Sequence, residues 1–98
     1  IGFIFGDPVD DWQAIDFQHH LITLTVSGGR PADNFLGEMR CLPTKAVAEL
    51  VNHLAIRGFE MQAGDFISTG AASVPQSFSA GDHVHADFGA LGVIEIAF

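Results

Sequence analysis

Ala80-Gly81-Asp82-His83-Val84-His85-Ala86-Asp87-Phe88-Gly89-Ala90-Leu91-Gly92, running on as Val93-Ile94-Glu95-Ile96-Ala97-Phe98, decides the fold. From His83 to Phe88, polar His83, His85 and Asp87 alternate with apolar Val84, Ala86 and Phe88. That period of two is a strand with one apolar face. A second strand follows over Val93–Phe98 after a glycine-bounded break. The tripeptide Ala-Gly-Asp opens this stretch and also occurs at 63–65. In each copy glycine supplies a φ that other residues avoid, so each reads as a tight turn ahead of a strand. The first copy predicts a strand over Phe66–Thr69, and a weaker one lies around Ser77–Phe78. Nothing else matches between the copies, so they are two uses of one turn and not a repeat architecture.

Further upstream, Pro43–Arg57 is the one clear helix, about 43–57. Ala46, Val47, Leu50, Val51, Leu54 and Ala55 recur at helical spacing on one face. Pro43 suits a first turn, and Gly58 is placed to end the helix. His20–Ser27 alternates Leu21, Thr23, Thr25 against Ile22, Leu24, Val26, a second period-two strand. Gly28-Gly29 then signals a hairpin. The return segment Arg30–Phe35 contains Pro31, which cannot donate to a ladder, so an edge strand or irregular arm is expected. Ile1–Phe5 reads as a short buried strand ended by Gly6-Asp7-Pro8, and Trp12 is expected to pack on the core. These elements make a single domain, 1–98, of the α+β class, β-rich with one packed helix.

Composition narrows the partners. The apolar fraction is 48%, charged residues are 16%, and the net charge is −8. Four cations (Arg30, Arg40, Lys45, Arg57) do not build the basic patch that nucleic acid or an anionic membrane needs. No apolar run is long enough for a membrane span, and no signal-peptide pattern is visible. The apolar excess predicts a homo-oligomer or an interface with a missing N-terminal portion. The lone Cys41 forms no internal disulfide and fits a reducing compartment, so a cytoplasmic location is expected.

Four stretches together resemble a known family. They are Asp11-Trp12-Gln13-Ala14-Ile15-Asp16-Phe17; the strand and glycines of His20–Gly28; Leu36-Gly37 with Leu50-Val51-Asn52-His53-Leu54-Ala55; and Gly64-Asp65-Phe66-Ile67-Ser68-Thr69-Gly70 with Ala80-Gly81-Asp82 and Phe88-Gly89-x-Leu91-Gly92. In order and spacing they look like the C-terminal portion of the fumarylacetoacetate hydrolase superfamily. The likeness is strongest to its 2-keto-4-pentenoate hydratase and 2-oxo-3-hexenedioate (4-oxalocrotonate) decarboxylase branch. The resemblance implies a mixed β-roll, a small 2-oxo acid substrate from aromatic catabolism, and lyase chemistry assisted by Mg²⁺ or Mn²⁺.

The resemblance also implies that the family's metal-binding Glu-x-Glu and catalytic lysine lie upstream of this chain. Here Glu38, Glu49, Glu60 and Glu95 are isolated. Catalysis and metal binding by the chain alone are therefore not expected. The segment Glu38–Lys45 is longer than the usual lead-in to the helix, and Glu49 stands where the family has tryptophan. The alternative is a free-standing, non-catalytic shortened relative that binds a small acid or oligomerises.

The resemblance assigns Ser68, Thr69, Gly70 and Ala71 to a wall of the substrate pocket, where small residues let backbone amides approach a carboxylate. The competing reading is a plain turn. His83, His85 and Asp87 share a strand face and form a weak alternative metal site, set against a solvated sheet face. His19 and His20 point to opposite sides if extended. Asp65 and Asp82 read as turn-capping carboxylates, not acid–base pairs. Asp7, Asp10, Asp11 and Asp16 match no EF-hand spacing. No dinucleotide, P-loop or Gly-x-Ser-x-Gly motif is present.

Overall fold

The computed structural model describes residues 3–98. Alternation puts β1 (Thr23–Val26), β2 (His83–Asp87) and β3 (Val93–Ala97) into one antiparallel sheet of order β1-β2-β3. In β1–β2 Leu24 faces Ala86 and Val26 faces Val84; in β2–β3 Val84 faces Ile96 and Ala86 faces Ile94. Six aliphatic side chains thus form one face. Val84 and Ala86, at its centre, are buried. The other face carries Thr23, Thr25, His83, His85, Asp87 and Glu95. A Phe88–Gly92 turn links β2 to β3, closed by Phe88 N–H to Gly92 O at 2.8 Å.

The helix α1 spans Pro43–Ile56 with proline in its first turn. It ends in a Schellman motif: Phe59 N–H donates to Leu54 O at 2.9 Å and Gly58 N–H to Ala55 O at 3.1 Å. The predicted helix is therefore present, but it is not packed as expected. None of its residues is buried. Ala46, Val47, Leu50 and Leu54 are half-covered, while Val51 and Ala55 face solvent.

The two Ala-Gly-Asp turns are copies of each other. Asp65 N–H donates to Gln62 O and Asp82 N–H to Ser79 O, both at 3.1 Å. Each aspartate then reaches back, accepting from Gln62 N–H at 2.8 Å and from Ser79 N–H at 2.7 Å. Gly64 and Gly81 take φ of 95° and 92°, which a side chain resists. Only the second copy leads into a strand. Phe66–Thr69 joins no ladder, and neither does Ser77–Phe78. Phe66 instead meets Phe3 and Phe5 edge-on at ring distances of 5.3 and 5.2 Å. Phe3–Phe5 likewise forms no strand, and Ile1 and Gly2 of that expected strand lie outside the described residues.

The glycine hairpin is also corrected. The turn sits one residue earlier, with Ser27 at φ 49° and Gly28 at φ 69°, and Gly29 N–H donates to Val26 O at 2.9 Å. No return strand follows. A single backbone bond, Ala32 N–H to Leu24 O at 2.9 Å, ties the Pro31 arm to β1, and β1 takes β2 as its ladder partner. Trp12 lies in a 3₁₀ turn and is 42% exposed, so it is only partly covered and not buried in the core as expected.

The core is small. The chain exposes 7337 Å², where a folded monomer of this size exposes roughly 5400 Å². Its radius of gyration is 15.2 Å, against about 13 Å for a compact domain of this length. No helix among the described residues is long and apolar enough to cross a membrane.

Ser27 ties the β1 turn to the second Ala-Gly-Asp turn. Its hydroxyl donates to Asp82 Oδ1 at 2.9 Å, and its N–H donates to His83 O at 2.6 Å. The Ser79 amide and then the Ser27 hydroxyl hold the Asp82 carboxyl below the usual aspartate range. A depressed carboxyl favours the folded state while it is charged. Its contribution is present above the unfolded value of 3.8 and disappears as pH falls through the folded value. Asp16 acts in the same direction through His19. Ser27→Ala is expected to raise the Asp82 midpoint in a carboxyl NMR titration and to flatten the acid limb of stability as pH falls below the unfolded value of 3.8. An unchanged midpoint would contradict this account.

Candidate functional site

Asn34 anchors the site to the sheet. Its side chain behaves as an extra residue of ladder beside β1: Oδ1 accepts from Ile22 N–H at 2.8 Å, and Nδ2 donates to Ile22 O at 2.7 Å. Its backbone bridges Ser73. On either side, Phe35 N–H donates to Ala72 O at 3.0 Å and Val74 N–H to Asp33 O at 2.9 Å. These bonds fasten the segment Thr69–Val74 against the arm that carries Asn34. From the other side Cys41 Sγ–H donates to Thr69 O at 2.8 Å.

Thr69, Gly70, Ala71 and Ala72 line one side of a cleft of about 150 Å³. Arg40, Cys41 and His20 stand around it with apolar Phe17, Ile22 and Leu91. Ser68 is exposed and is not among the lining residues. Gly70 adopts φ 119°, and a Cβ there would sit 3.6 Å from Cys41 Cβ. Glycine therefore allows both the turn and the open cleft. The N–H groups of Gly70 and Ala71 donate to no protein acceptor among the described residues.

Arg40 is the least expected member. It is 7% exposed. Nε donates to Phe35 O at 2.6 Å, Nη1 to Phe17 O at 2.8 Å and Nη2 to Asn34 Oδ1 at 3.3 Å. No carboxylate lies within 4.0 Å of the guanidinium among the described residues. His20 Nε2–H donates to Phe88 O at 2.6 Å, which ties the cleft to the end of β2 and leaves Nδ1 as its other ring nitrogen.

The remaining candidates are engaged elsewhere. His85 Nδ1 pairs with Glu95 Oε1 at 2.8 Å across the β2–β3 ladder. Asp87 Oδ1 accepts from Gly89 N–H at 2.8 Å. His83, His85 and Asp87 share the polar sheet face, and no group of three metal-binding side chains converges among the described residues. Asp65 and Asp82 close their turns. Asp16 pairs with His19 at 2.9 Å on the surface. A larger, open groove of about 430 Å³ lies between Asp7, Trp12 and Ile94, but it brings no set of polar groups together.

The resemblance implies a divalent cation. Such an ion wants several oxygen donors, mostly carboxylates. The cleft lining holds no carboxylate and does hold a guanidinium. The residues present do not fit a metal; the one fixed charge among them is the positive one of Arg40. Arg40 and Asn34 escaped the sequence reading as site residues, and His20 entered it only as a partner for His19. The only hint was that Arg40 falls in the Glu38–Lys45 stretch, which departs from the family pattern. No family model matches the chain, and no solved structure matches it.

Proposed function

We propose that the chain forms one wall of a pocket for a small 2-oxo acid, as the C-terminal part of a 2-keto-4-pentenoate hydratase/decarboxylase-like protein. In that reading the α+β unit is part of a mixed β-roll, and the lyase chemistry belongs to aromatic catabolism. The observation that carries it is that Gly70 and Ala71 line a small cleft and that their N–H groups have no protein acceptor among the described residues. Backbone N–H groups without an acceptor suit a carboxylate or an enolate oxygen. The apolar side chains of Phe17, Ile22 and Leu91 suit the carbon chain of such an acid.

The oxygen donors for Mg²⁺ or Mn²⁺ have to come from outside this chain. The test is complementation. The chain is co-purified with a Glu-x-Glu-bearing N-terminal portion of a family member and assayed on a 2-hydroxy-2,4-dienoate. Turnover that requires Mg²⁺ and both pieces is expected, with the chain alone at background. Absence of turnover from a stable, co-eluting pair would overturn the reading.

A second reading has its own observation. The surface excess over a compact monomer is roughly 1900 Å², more than the ~800 Å² that each side of a standard interface buries. A free-standing module that oligomerises accounts for it equally well, and sizing by light scattering separates a monomer from an assembly.

A further inference from the structure

The sheet guards one of its edges and leaves the other open. Phe88 N–H donates to Gly92 O at 2.8 Å and Phe98 N–H to Asp82 O at 2.9 Å. An antiparallel ladder alternates, so between these bonds Ile94 and Ile96 turn their backbone groups toward Ala86 and Val84 of β2. Val93, Glu95 and Ala97 turn theirs outward, where no strand or loop takes them among the described residues. The β1 edge is different. Leu24 O accepts from Ala32 N–H, Val26 O accepts from Gly29 N–H, and the Asn34 side chain takes both backbone groups of Ile22. β3 carries no proline, lysine or bulge, the usual guards of an edge strand. An edge open in this way adds a strand from another chain.

We infer that β3 pairs antiparallel with β3 of a second copy, about a twofold axis at Ile96, and joins two sheets into one. The side chains choose the register. An axis at Glu95 sets two carboxylates directly opposite each other, which is unfavourable. An axis at Ile94 drives the end of each strand into the Gly89–Leu91 turn of the other copy. An axis at Ile96 opposes Ile96 to its own copy and Ile94 to Phe98 on the apolar face, and Glu95 to Ala97 on the polar one. Glu95 and Ala97 then exchange N–H to O bonds in both directions. Each Glu95 keeps its own His85, 2.8 Å away. Phe98, 46% exposed in the single chain, gains an aliphatic neighbour.

The occupant is a second copy because the strand is complementary to itself. The capped β1 edge closes the assembly at a pair and denies it a fibre. The chain exposes roughly 1900 Å² more than a compact monomer, above the ~800 Å² that each side of a standard interface buries. This pairing supplies the surface and the partner for the oligomerising reading, on which it rests.

Light scattering and amide exchange on the labelled chain, over a concentration series, test it. A dimer is expected, with the Glu95 and Ala97 amides exchanging about tenfold more slowly than in the dilute monomer. Ile94 and Ile96 are slow in both states. A mixture of labelled and unlabelled copies is expected to show an Ile96 Hα to Ile96 Hα contact between copies. Ala97→Pro removes an N–H that the chain's own ladder does not use. It is expected to weaken dimerisation about a hundredfold while Ile94 and Ile96 stay protected. If Ala97→Pro does not fold, the exchange of the parent chain and the Ile96 contact decide.

A monomer at every concentration overturns both this inference and the oligomerising reading. A dimer whose Glu95 and Ala97 amides stay fast, or that Ala97→Pro leaves intact, overturns the β3 pairing alone. Protection of those amides only in a one-to-one pair with the N-terminal portion assigns the edge to upstream sequence, and overturns pairing with a second copy.

Discussion

Arg40→Met lowers the free energy of unfolding by about 3 kcal/mol, the largest single-residue effect expected in this chain. Methionine keeps much of the apolar stem and removes all five N–H donors. The carbonyls of Phe17 and Phe35 then lose their charged partner in a place where little water replaces it. Each buried acceptor left unsatisfied costs roughly 1–3 kcal/mol. Release of a buried, unpaired charge offsets part of that loss. The balance remains unfavourable because this side chain joins the segment around Phe17 to the Asn34–Phe35 segment, with one backbone bond beside it, Gly37 N–H to Gln18 O at 3.2 Å. A small domain holds about 5–15 kcal/mol in total, so the loss shows as a large fall in the urea midpoint. Arg40→Lys recovers less than half, since one ammonium cannot span three acceptors in different directions. A midpoint within error of the parent would show that the guanidinium is not a strut.

The second large effect is at Asn34. Asn34→Ala removes both bonds to Ile22 and the contact to Arg40, and costs about 2–3 kcal/mol. Asn34→Asp is no milder. It keeps an acceptor for Ile22 N–H but sets a carboxylate oxygen against Ile22 O, where the amide donated at 2.7 Å. Hydrogen exchange gives the sharper readout. Ile22, Phe35 and Val74 amides lose protection together, while β2–β3 amides keep theirs. A uniform loss across the sheet would mean that Asn34 stabilises the whole domain and not the cleft wall.

Much of the sheet and helix was legible because it depends on short-range pattern. The alternation of His83–Phe88 and the 3.6-residue spacing from Ala46 to Ala55 each identify an element without knowledge of its partner. Gly58 marked the helix end for a conformational reason that is local. Partnership was harder. The glycines after Val26 announced a reversal, yet β1 found β2 far along the chain, because Pro31 cannot support a ladder where the hairpin would need one. Phe66–Thr69 looked like a strand from its composition and its Ala-Gly-Asp lead-in. No neighbouring strand offers it a row of donors, and its phenyl ring is used by Phe3 and Phe5 instead.

The candidate site divides the same way. Small residues at 69–71 stand out in a sequence, and they do line a cleft. Arg40 does not stand out, because side-chain donors reaching carbonyls at 17 and 35 leave no periodic trace. Asn34 reads as an ordinary loop asparagine until Ile22 is seen beside it.

The order of the sheet has a kinetic consequence. β2 and β3 are joined by a few residues, so their hairpin closes locally, on the order of microseconds. β1 pairs with residues roughly sixty positions away in the chain, and that loop must be closed before any of its bonds form. Val84 and Ala86 are covered only once β1 arrives. The slow step in refolding is therefore the docking of β1 onto a hairpin that already exists. Leu24→Ala, on β1, mainly speeds unfolding if docking follows the barrier and slows refolding if docking is the barrier, and stopped-flow rates on that one variant separate the two. The cleft inherits this schedule: Asn34 grips Ile22 next to β1, so the cleft is assembled last.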